Sequence, residues 1–297
     1  MSASTNKLVL ATRKSPLALK QANWVAQLVE SVMGINVELS PMSTTGDQQA
    51  DWSLQEKGGK GLFTKELEVA LLEGRADLAV HSAKDLPTEN PDGLVLSAFP
   101  VREDPRDVLV LNEQVKDPQI LASGSPRRRA QLQKRFPQVS WKELRGNVET
   151  RLRKIAVQRE ADGTILAAAG LSRLGIKEYP GLTFNKLPID EMVPSPGQAA
   201  IAIQVRSNEI DKFSVLDHEE TSRAVLLERA ILDRLGGGCQ VALGVHLAGN
   251  QLHFFHEDCG IRILDIQNDT IEMVMDKILG HCAQILLCCK HRLQKDL

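Results

Sequence analysis

The apolar residues of this chain follow two spacings that alternate along its length. Short unbroken apolar runs are separated by segments in which apolar residues recur at three- and four-residue steps. Such an alternation predicts strands that take turns with amphipathic helices. The apolar runs, which we predict to be strands, are 7–11, 36–40, 78–80, 94–101, 108–111, 120–124, 139–144, 164–168, 199–205, 241–247 and 251–255. The helical segments start near residues 16, 64, 126, 148, 218 and 270.

This alternation predicts an α/β fold divided into domains. A chain of 297 residues is too long for one typical domain, and segments rich in proline and charge, 100–106 and 194–198, are suited to crossings between lobes. We predict two α/β lobes and a small α+β C-terminal domain. Their bounds are 1–100 with the returning segment 197–214, 101–196, and 215–297. Two lobes with two crossings resemble the periplasmic binding proteins, which close on an anion between lobes.

Two predicted helices begin in the same way, with a serine followed by a proline. Ser15 and Ser125 are suitable N-caps, and Pro16 and Pro126 suit the first helical position. A helix start offers backbone N–H groups and a positive dipole end, both of which favour an anion. Each start therefore predicts an anion site, and a plain capped helix is the alternative.

Cationic residues lie next to these helix starts. Arg13 precedes the first, while 127–129 are three arginines in the first turn of the second. Cations in a first turn oppose the helix dipole unless an anion lies between them. Further arginines follow the next two strands: Arg145, Arg151 and Arg173. The repetition predicts a polyanionic ligand, and solvated basic helix faces are the alternative.

Segment 57–87 holds the most concentrated candidate chemistry. A glycine-rich cationic loop precedes helix 64–73, and strand 78–80 runs directly into His81, Ser82, Ala83, Lys84 and Asp85. In parallel α/β sheets, ligands bind beyond the carboxyl ends of strands. Lys84 and Asp85 would there hold a carboxylate beside a fixed cation, and an ordinary strand exit with surface charge is the alternative. The polar stretch 43–56 before the loop predicts a mobile connection.

The cysteines give one candidate nucleophile. Cys239 follows three glycines, 236–238, at the end of the long helix. A cysteine on such a loop is accessible, and a lowered thiol pKa would make it reactive; an ordinary small residue is the alternative. The five cysteines, an odd number, do not have the pattern of a disulfide framework. The later histidines and cysteines lack zinc spacing, so no metal is predicted and Cys282 is assigned to helix packing.

Composition excludes several classes of protein. A net charge of −2 with 4% aromatic residues argues against a nucleic-acid binder. The N-terminal residues lack the apolar core of a signal peptide, and no apolar run approaches the ~20 residues of a bilayer span. These features predict a cytoplasmic protein without a membrane or nucleic-acid partner.

Specific motifs add a family resemblance. In chain order they are ATRKSPLAL, GGKGLFTKELE, AVHSAKDLP, REDPRD, PRRRAQL, LRGNVETRL, AAGLSRLG, PGQ and GGGCQV, and they extend from Leu8 to about Gly244. The chain thus closely resembles the porphobilinogen deaminases, also called hydroxymethylbilane synthases. The resemblance implies a transferase of tetrapyrrole biosynthesis that joins four porphobilinogen molecules head to tail, releases ammonia and yields hydroxymethylbilane. It also implies a dipyrromethane cofactor attached to Cys239 through a thioether, and a monomer.

The resemblance assigns roles to the candidate residues. Each pyrrole carries acetate and propionate groups, which arginine forks bind bidentately. The implied cofactor-binding residues are Lys84, Ser125, Arg127 and Arg128, and the implied substrate-binding residues are Arg13, Ser15, Phe63, Arg145, Arg151 and Arg173. Asp85 is the implied catalytic residue. Its carboxylate would accept hydrogen bonds from pyrrole N–H groups and stabilise the cationic azafulvene left when ammonia departs. It would also assist proton transfer. Phe63 would pack against a pyrrole ring, with segment 43–61 as a lid.

The chain departs from the family pattern at a few positions. The family usually has GTSS where this chain has Ala122-Ser123-Gly124-Ser125. It usually has GQGA where this chain has Gln198-Ala199-Ala200, which adds a methyl group at a tight turn. Ser172 stands where the family often has a lysine. None removes Asp85 or Cys239, so activity is expected. The competing class is a non-catalytic anion-binding protein with the same lobes, which would need the arginines but neither of these two residues. A nucleic-acid binder using 127–129 is a third class, which salt-dependent binding to DNA would reveal.

Overall fold

The structure, a computed structural model, describes residues 7–48, 62–236 and 241–282. In these residues the α-helices are α1 (Pro16–Met33), α2 (Thr45–Gln48), α3 (Lys65–Leu72), α4 (Pro126–Gln133), α5 (Val148–Ala156), α6 (Ala168–Arg173), α7 (Ile210–Phe213), α8 (Glu219–Arg234) and α9 (Ile271–His281). The strands are β1 (Lys7–Arg13), β2 (Asn36–Met42), β3 (Leu78–Ser82), β4 (Leu94–Ala98), β5 (Asp107–Asn112), β6 (Ile120–Ala122), β7 (Ser140–Lys142), β8 (Gly163–Ala167), β9 (Leu182–Lys186), β10 (Ile201–Arg206), β11 (Leu243–Ala248), β12 (Gln251–His256) and β13 (Gly260–Asp265).

The chain folds into two compact units. Unit 1 comprises Met1–Glu103, Ala169–Ile176 and Ala199–Ser222, and unit 2 comprises Asp104–Ala168, Lys177–Gln198 and Arg223–Leu297. Each unit therefore contains segments that are distant in sequence.

Unit 1 is built on a five-stranded sheet of order β2-β1-β3-β10-β4. The first three strands are parallel, and β10 is antiparallel to both of its neighbours. Helix α1 begins where Ser15 accepts a hydrogen bond from the backbone of Ala18, and it ends at Gly34, whose φ of 67° is the left-handed conformation that favours glycine. Its apolar face, which includes Ala22, Val25 and Val29, packs on the sheet.

Unit 2 repeats this strand pattern in a second five-stranded sheet, of order β7-β6-β8-β5-β9. Strands β6, β7 and β8 are parallel, and β5 is antiparallel to β8 and β9. Ser125 caps α4 and Asn147 caps α5, each with its side chain accepting a backbone N–H. Both helices therefore start just beyond the carboxyl ends of parallel strands.

The C-terminal part of unit 2 has its own sheet and core. Strands β11, β12 and β13 form an antiparallel sheet with order β11-β12-β13. Apolar residues of α8 and α9, among them Ile231, Val274 and Ile278, pack with Val245 and Phe254 of this sheet. The predicted fold class, two α/β lobes and a small α+β C-terminal part, is confirmed.

Several elements differ from the sequence prediction. Strands β9 and β13 were not predicted, because they are edge strands with few buried residues and no apolar run. Part of the predicted loop 43–56 is helix α2, since Glu66 of α3 accepts hydrogen bonds from the backbone and hydroxyl of Thr45. Residues 49–56 of that loop lie outside the described residues. Among the described helices, none is long and apolar enough to cross a membrane.

The prediction for the cysteines is wrong at one pair. Cys259 and Cys282 form a disulfide, with their Cα atoms 5.5 Å apart and a sequence separation of 23. Cys282 is also buried in the core, as expected from its position on the apolar face. The sequence does not reveal the bond because only the packing of α9 on the β12–β13 turn brings the two residues together.

Candidate functional site

In unit 1, the sequence-predicted residues gather at one edge of the sheet. The carboxyl ends of β1 and β3 lie side by side because these strands are parallel. A cavity of about 70 Å³ opens at this edge, and its lining includes Arg13, Ser15, Phe63, His81 and Asp85. Four residues from three distant motifs, Arg13, Ser15, Phe63 and Asp85, are thus brought together at one cavity.

The backbone around Asp85 is fixed by a short turn. A single 3₁₀ turn, Ala83–Asp85, follows β3 directly. The buried Ala83 anchors this turn, since its N–H donates to the carbonyl of Ala200 at 3.0 Å. The Asp85 side chain is exposed at the cavity, and Lys84 beside it is half-buried. The carboxylate and the neighbouring cation therefore stand at the strand end, where the sequence predicted them.

The ring of Phe63 already has a cationic partner. The guanidinium carbon of Arg13 lies 4.3 Å from the ring centroid, a cation–π contact. On another side the ring fills the space where Gly46 would carry a Cβ, which would lie 2.2 Å from the ring. Gly46 is therefore needed for this close approach. The packing of Phe63 against a pyrrole ring stays a prediction, and it would require Arg13 to share the ring.

Sequence reasoning missed three polar residues at this site. Gln21 of α1 is 3% exposed, and its amide donates to the Ser82 hydroxyl at 3.0 Å. His81 is also buried, and its Nε2 lies 3.0 Å from the side-chain oxygen of the buried Gln204 on β10. A polar residue at an apolar position of a helix or a strand was the signal available: Gln21 follows the spacing of the buried face of α1, Gln204 lies within an apolar run, and His81 directly follows one.

The buried environment of His81 affects its protonation. Burial lowers the pKa of His81 to about 4; the hydrogen bond with Gln204 opposes this effect, and the charge of Arg13 adds to it. In the unfolded chain, the His81 imidazole binds a proton near pH 6.5. The contribution of His81 to stability is therefore fully present above pH 6.5 and is lost as the pH falls toward 4. The imidazole is therefore neutral at physiological pH.

We expect His81→Asn to remove a pH-dependent part of the stability. Between pH 8 and pH 5, the free energy of unfolding of the natural chain should fall by roughly 2 kcal/mol more than that of the variant. Urea unfolding of both proteins at the two pH values measures the difference. His281→Asn is the matched control, because His281 is exposed, and it should behave as the natural chain does. Identical pH dependence of natural chain and His81→Asn would contradict the assignment.

Arg173 lies in a different cavity of unit 1. Its guanidinium is 3.5 Å from Glu103 and donates to the carbonyl of Ala199 at 2.6 Å. Burial lowers its pKa, although Glu103 opposes this effect. The cavity, about 130 Å³, also has Lys20 and Trp24 in its lining. Arg173 therefore does not line the cavity of Asp85, and its role as a substrate ligand stays a prediction.

The carbonyl that Arg173 binds belongs to a strained residue. Ala199 has a φ of 71°, a conformation that costs a residue with a Cβ about 1 kcal/mol or more. The added methyl group noted in the sequence is thus placed in a left-handed backbone conformation. We expect Ala199→Gly to raise the free energy of unfolding by about 0.5–1 kcal/mol, measured by chemical denaturation. Ala200→Gly is the matched control: its φ is not positive, so it should destabilise instead, and equal effects would contradict the strain.

In unit 2, the two predicted cofactor-binding arginines form a buried ion triad. Arg127 and Arg128 each place a guanidinium nitrogen 2.7 Å from a carboxylate oxygen of Asp107. Asp107 is fully buried, and the Gln198 amide also donates to it at 3.1 Å. Burial lowers the pKa of Arg127, an effect that Asp107 opposes. The sequence predicts an anion between these cations. Asp107 supplies that negative charge, at least in part, from within the protein.

Donors remain at this helix start. The Nε of Arg127 and the Nη2 of Arg129 are buried and have no hydrogen-bond partner among the described residues. The Ser125 hydroxyl accepts the N–H of Arg128 at 3.4 Å and so keeps its own proton available to donate. Unpaired guanidinium N–H groups beside a helix N-terminus fit a carboxylate ligand. The start of α4 is thus compatible with a cofactor that carries carboxylates.

The remaining predicted residues of unit 2 flank the start of α5. Arg145 follows β7 and lies 3.5 Å from Glu143. Arg151, in the first turns of α5, donates from Nε to the Gly146 carbonyl at 2.8 Å. Both side chains are half-buried at the carboxyl end of the parallel strands. Cys239 and the glycine-rich loop 57–61 lie outside the described residues.

These features define a class of protein. Each unit presents cationic side chains and capped helix starts at the carboxyl edge of a mixed sheet, and unit 1 adds an exposed carboxylate at its cavity. Such an arrangement suits an α/β enzyme acting on a ligand with several carboxylates. No group of three or more potential metal-ligating side chains occurs in the described ranges.

Comparison with known proteins identifies the family. Residues 8–214 match the family model "Porphobilinogen deaminase, dipyromethane cofactor binding domain". Porphobilinogen deaminase of Chromobacterium violaceum is 46% identical over 248 residues, covering 80% of this chain and 79% of the relative. That of Nitratiruptor sp. is 44% identical over 282 residues, covering 92% of this chain and 88% of the relative. The chain therefore belongs to the porphobilinogen deaminase family, whose matched domain binds the dipyrromethane cofactor.

One solved structure shows a distant likeness. The periplasmic aliphatic sulphonate binding protein SsuA of Escherichia coli has a TM-score of 0.41 and 15% identity, covering 78% of this chain and 70% of that chain. A TM-score this low carries no argument about function, and the assignment of two α/β lobes rests on the sheet topology.

Proposed function

We propose that this chain is a transferase that condenses four porphobilinogen molecules head to tail, releases ammonia and yields hydroxymethylbilane. The observation that carries the proposal is the cavity of unit 1, where Arg13, Ser15 and Asp85 line one small space. We further propose that it works in the cytoplasm as a monomer organised in three domains, residues 215–297 forming the third.

The carboxylates of the substrate require cationic partners, and the arginines proposed for this role have different surroundings in the structure. Arg13 is half-buried and faces Phe63, and Ser15 caps α1 beside it. A carboxylate here would meet a guanidinium, a hydroxyl and a helix N-terminus at once. Arg145, Arg151 and Arg173 are proposed to bind further carboxylates as the chain lengthens, because all three have guanidinium groups near strand ends.

Asp85 is proposed to act on the reacting pyrrole. Its exposed carboxylate can accept the pyrrole N–H and stabilise the positive charge that develops as ammonia leaves. It can also hold the proton that must be removed once the new carbon–carbon bond has formed. Neutral His81 lines the same cavity, so it adds no competing positive charge there.

The dipyrromethane cofactor is proposed to be attached to Cys239, with Lys84, Ser125, Arg127 and Arg128 on its carboxylates. The unpaired Nε of Arg127 supports this part of the proposal, since a buried guanidinium N–H without a partner is costly. When bound, the cofactor supplies the pyrrole end from which the product is extended. Asp107 then has a supporting role, because it fixes the two guanidinium groups before any ligand arrives.

The intact mass of the purified protein tests this function. We expect a mass above that of the polypeptide by two condensed porphobilinogen units, and we expect Cys239→Ser to lose both that excess and all hydroxymethylbilane formation. Cys288→Ser is a matched control from the same part of the chain and should keep both. A polypeptide mass that stays bare after incubation with porphobilinogen would contradict the proposal and favour a non-catalytic anion-binding protein.

A further inference from the structure

The disulfide between Cys259 and Cys282 joins two elements that meet at the edge of unit 2. Cys259 lies in the turn between β12 and β13, and Cys282 directly follows α9. Their Cα separation of 5.5 Å is within the usual range for a disulfide. The bond closes a segment that contains the whole of β13 and α9, and neither cysteine has a role in the proposed reaction.

The two cysteines also take part in apolar packing, in addition to the bond between them. Cys282 is 3% exposed and belongs to an apolar cluster with Val274, Ile278 and Phe254, and Cys259 packs against the same cluster. Both positions therefore suit a cysteine thiol, which behaves as a small apolar side chain. The two sulfurs would remain neighbours after reduction, which is the condition for re-forming the bond.

The two cysteines differ in exposure. Cys259 is partly exposed and lines an open groove of about 580 Å³, whereas Cys282 is buried. The groove carries two cations, Lys134 and Arg262; a Cβ built on Gly260 would lie 3.7 Å from Lys134 Nζ and 4.0 Å from Arg262 Nη1. Cations near a cysteine favour its thiolate, the reactive form.

Acidic residues act in the opposite direction at the same groove. Glu257 and Asp258 are exposed in the β12–β13 turn and line the groove as well. His256 lies 3.4 Å from Asp258, so this carboxylate has a partner of its own. A groove with charges of both signs suits a small zwitterionic thiol, which carries both carboxylates and an ammonium group.

We propose that Cys259 and Cys282 form a reversible thiol–disulfide exchange site for low-molecular-weight thiols of the glutathione class. A thiolate of this class attacks the accessible sulfur of Cys259; a mixed disulfide forms there, and the Cys259–Cys282 bond breaks, leaving Cys282 as a thiolate that takes up a proton. A second thiolate attacks the outer sulfur of the mixed disulfide and releases the oxidised dimer, and Cys259 is protonated. In the reverse direction, the same dimer oxidises the two thiols. The exchange thus consumes two thiols for each protein disulfide reduced.

Reduction frees the end of α9 from the β12–β13 turn while the apolar cluster persists. A cross-link stabilises chiefly by restricting the unfolded chain, so its loss lowers thermal stability without removing the fold. The disulfide is therefore a redox-sensitive cross-link that stabilises the C-terminal part of unit 2.

Thiol mapping of the full-length protein tests the proposal. The protein is equilibrated in buffers of graded glutathione to glutathione disulfide ratio, quenched in acid, alkylated without reduction and digested for mass spectrometry. We expect the Cys259–Cys282 linked peptide to give way to two alkylated peptides as reduced glutathione increases. In Cys282→Ser, glutathione disulfide should leave a stable glutathione adduct on Cys259, whereas Cys259→Ser should give no adduct on the buried Cys282.

Thermal melting supplies a second readout. A reductant should lower the melting temperature of the natural chain by roughly 5–10 °C and leave Cys259→Ser unchanged, with Cys288→Ser responding as the natural chain does. Three results would overturn the proposal: both cysteines fully alkylated even in glutathione disulfide, a linked peptide that resists reduced glutathione until the protein is denatured, or Cys282 linked to another cysteine. None of these readouts uses the enzymatic activity, so they are independent of the proposed function.

Discussion

Replacing Asp85 by asparagine is expected to lower the rate of hydroxymethylbilane formation by roughly 10²–10³-fold, with the fold retained. Asparagine keeps the size and one acceptor oxygen, but it has no negative charge to stabilise a developing cation and cannot take a proton. The side chain is exposed on a backbone-anchored turn, so the substitution removes no packing. Single-turnover assays with the cofactor-loaded protein measure the chemical step directly.

The control for this experiment is another exposed aspartate of unit 1. Asp92 lies beyond β3 in the connection to β4 and does not line the cavity. Asp92→Asn should leave the rate and the melting temperature unchanged. The rate is compared on Asp85→Asn protein that carries the mass excess of two porphobilinogen units, so that a lower rate reports the chemical step and not a missing cofactor. A variant with nearly full activity would remove Asp85 from the chemistry and leave the arginines as binding residues alone.

Local sequence signals predicted the elements that carry the site with good accuracy. Ser15 and Ser125 were identified as N-caps from the Ser-Pro pairs alone, and both cap as predicted. These signals are readable because a cap bonds to residues only three positions away. The strand ending before Asp85 was equally clear, since its apolar run stops abruptly.

Partners that are distant in sequence could not be predicted. Asp107 appeared in the sequence only as the last residue of the charged REDPRD motif, yet its carboxylate binds Arg127 and Arg128, which lie 20 and 21 positions further along the chain. His81 and Gln204 are 123 positions apart and meet only because β10 returns to pair with β3. Each of these contacts depends on the strand order of a sheet, which the periodicity of a single strand does not specify.

The same limit affects the interpretation of the cations at the start of α4. The cations at the start of α4 do require an anion, as the helix dipole argues. The protein provides Asp107, and the sequence alone attributed the whole requirement to a ligand. With one carboxylate and two guanidinium groups, the triad keeps a net positive charge. It can therefore serve both as a structural centre of unit 2 and as a binding site for a further carboxylate.

Removing the carboxylate of this triad is expected to have the largest effect on stability. Asp107→Asn would leave two buried guanidinium groups without their counter-charge, because Arg127 and Arg128 are 4% and 8% exposed. Breaking a buried pair in this way typically costs about 3–5 kcal/mol, which is a large part of a domain's stability. We expect the melting temperature to fall by roughly 10 °C, and amide hydrogen exchange to accelerate in β5 and its neighbour β8.

An exposed ion pair of unit 2 provides the control. Glu191 and Arg135 lie 3.5 Å apart with half-exposed side chains, so Glu191→Gln should change stability by less than about 1 kcal/mol.

A triple replacement distinguishes a structural role of the triad from a role in binding the cofactor. Substituting Asp107, Arg127 and Arg128 together by Leu, Met and Leu removes every charge of the triad and should recover much of the lost stability. If the arginines also hold the cofactor, the triple variant folds but does not acquire the mass excess on incubation with porphobilinogen. A stable triple variant that still loads the cofactor would limit the triad to a structural role.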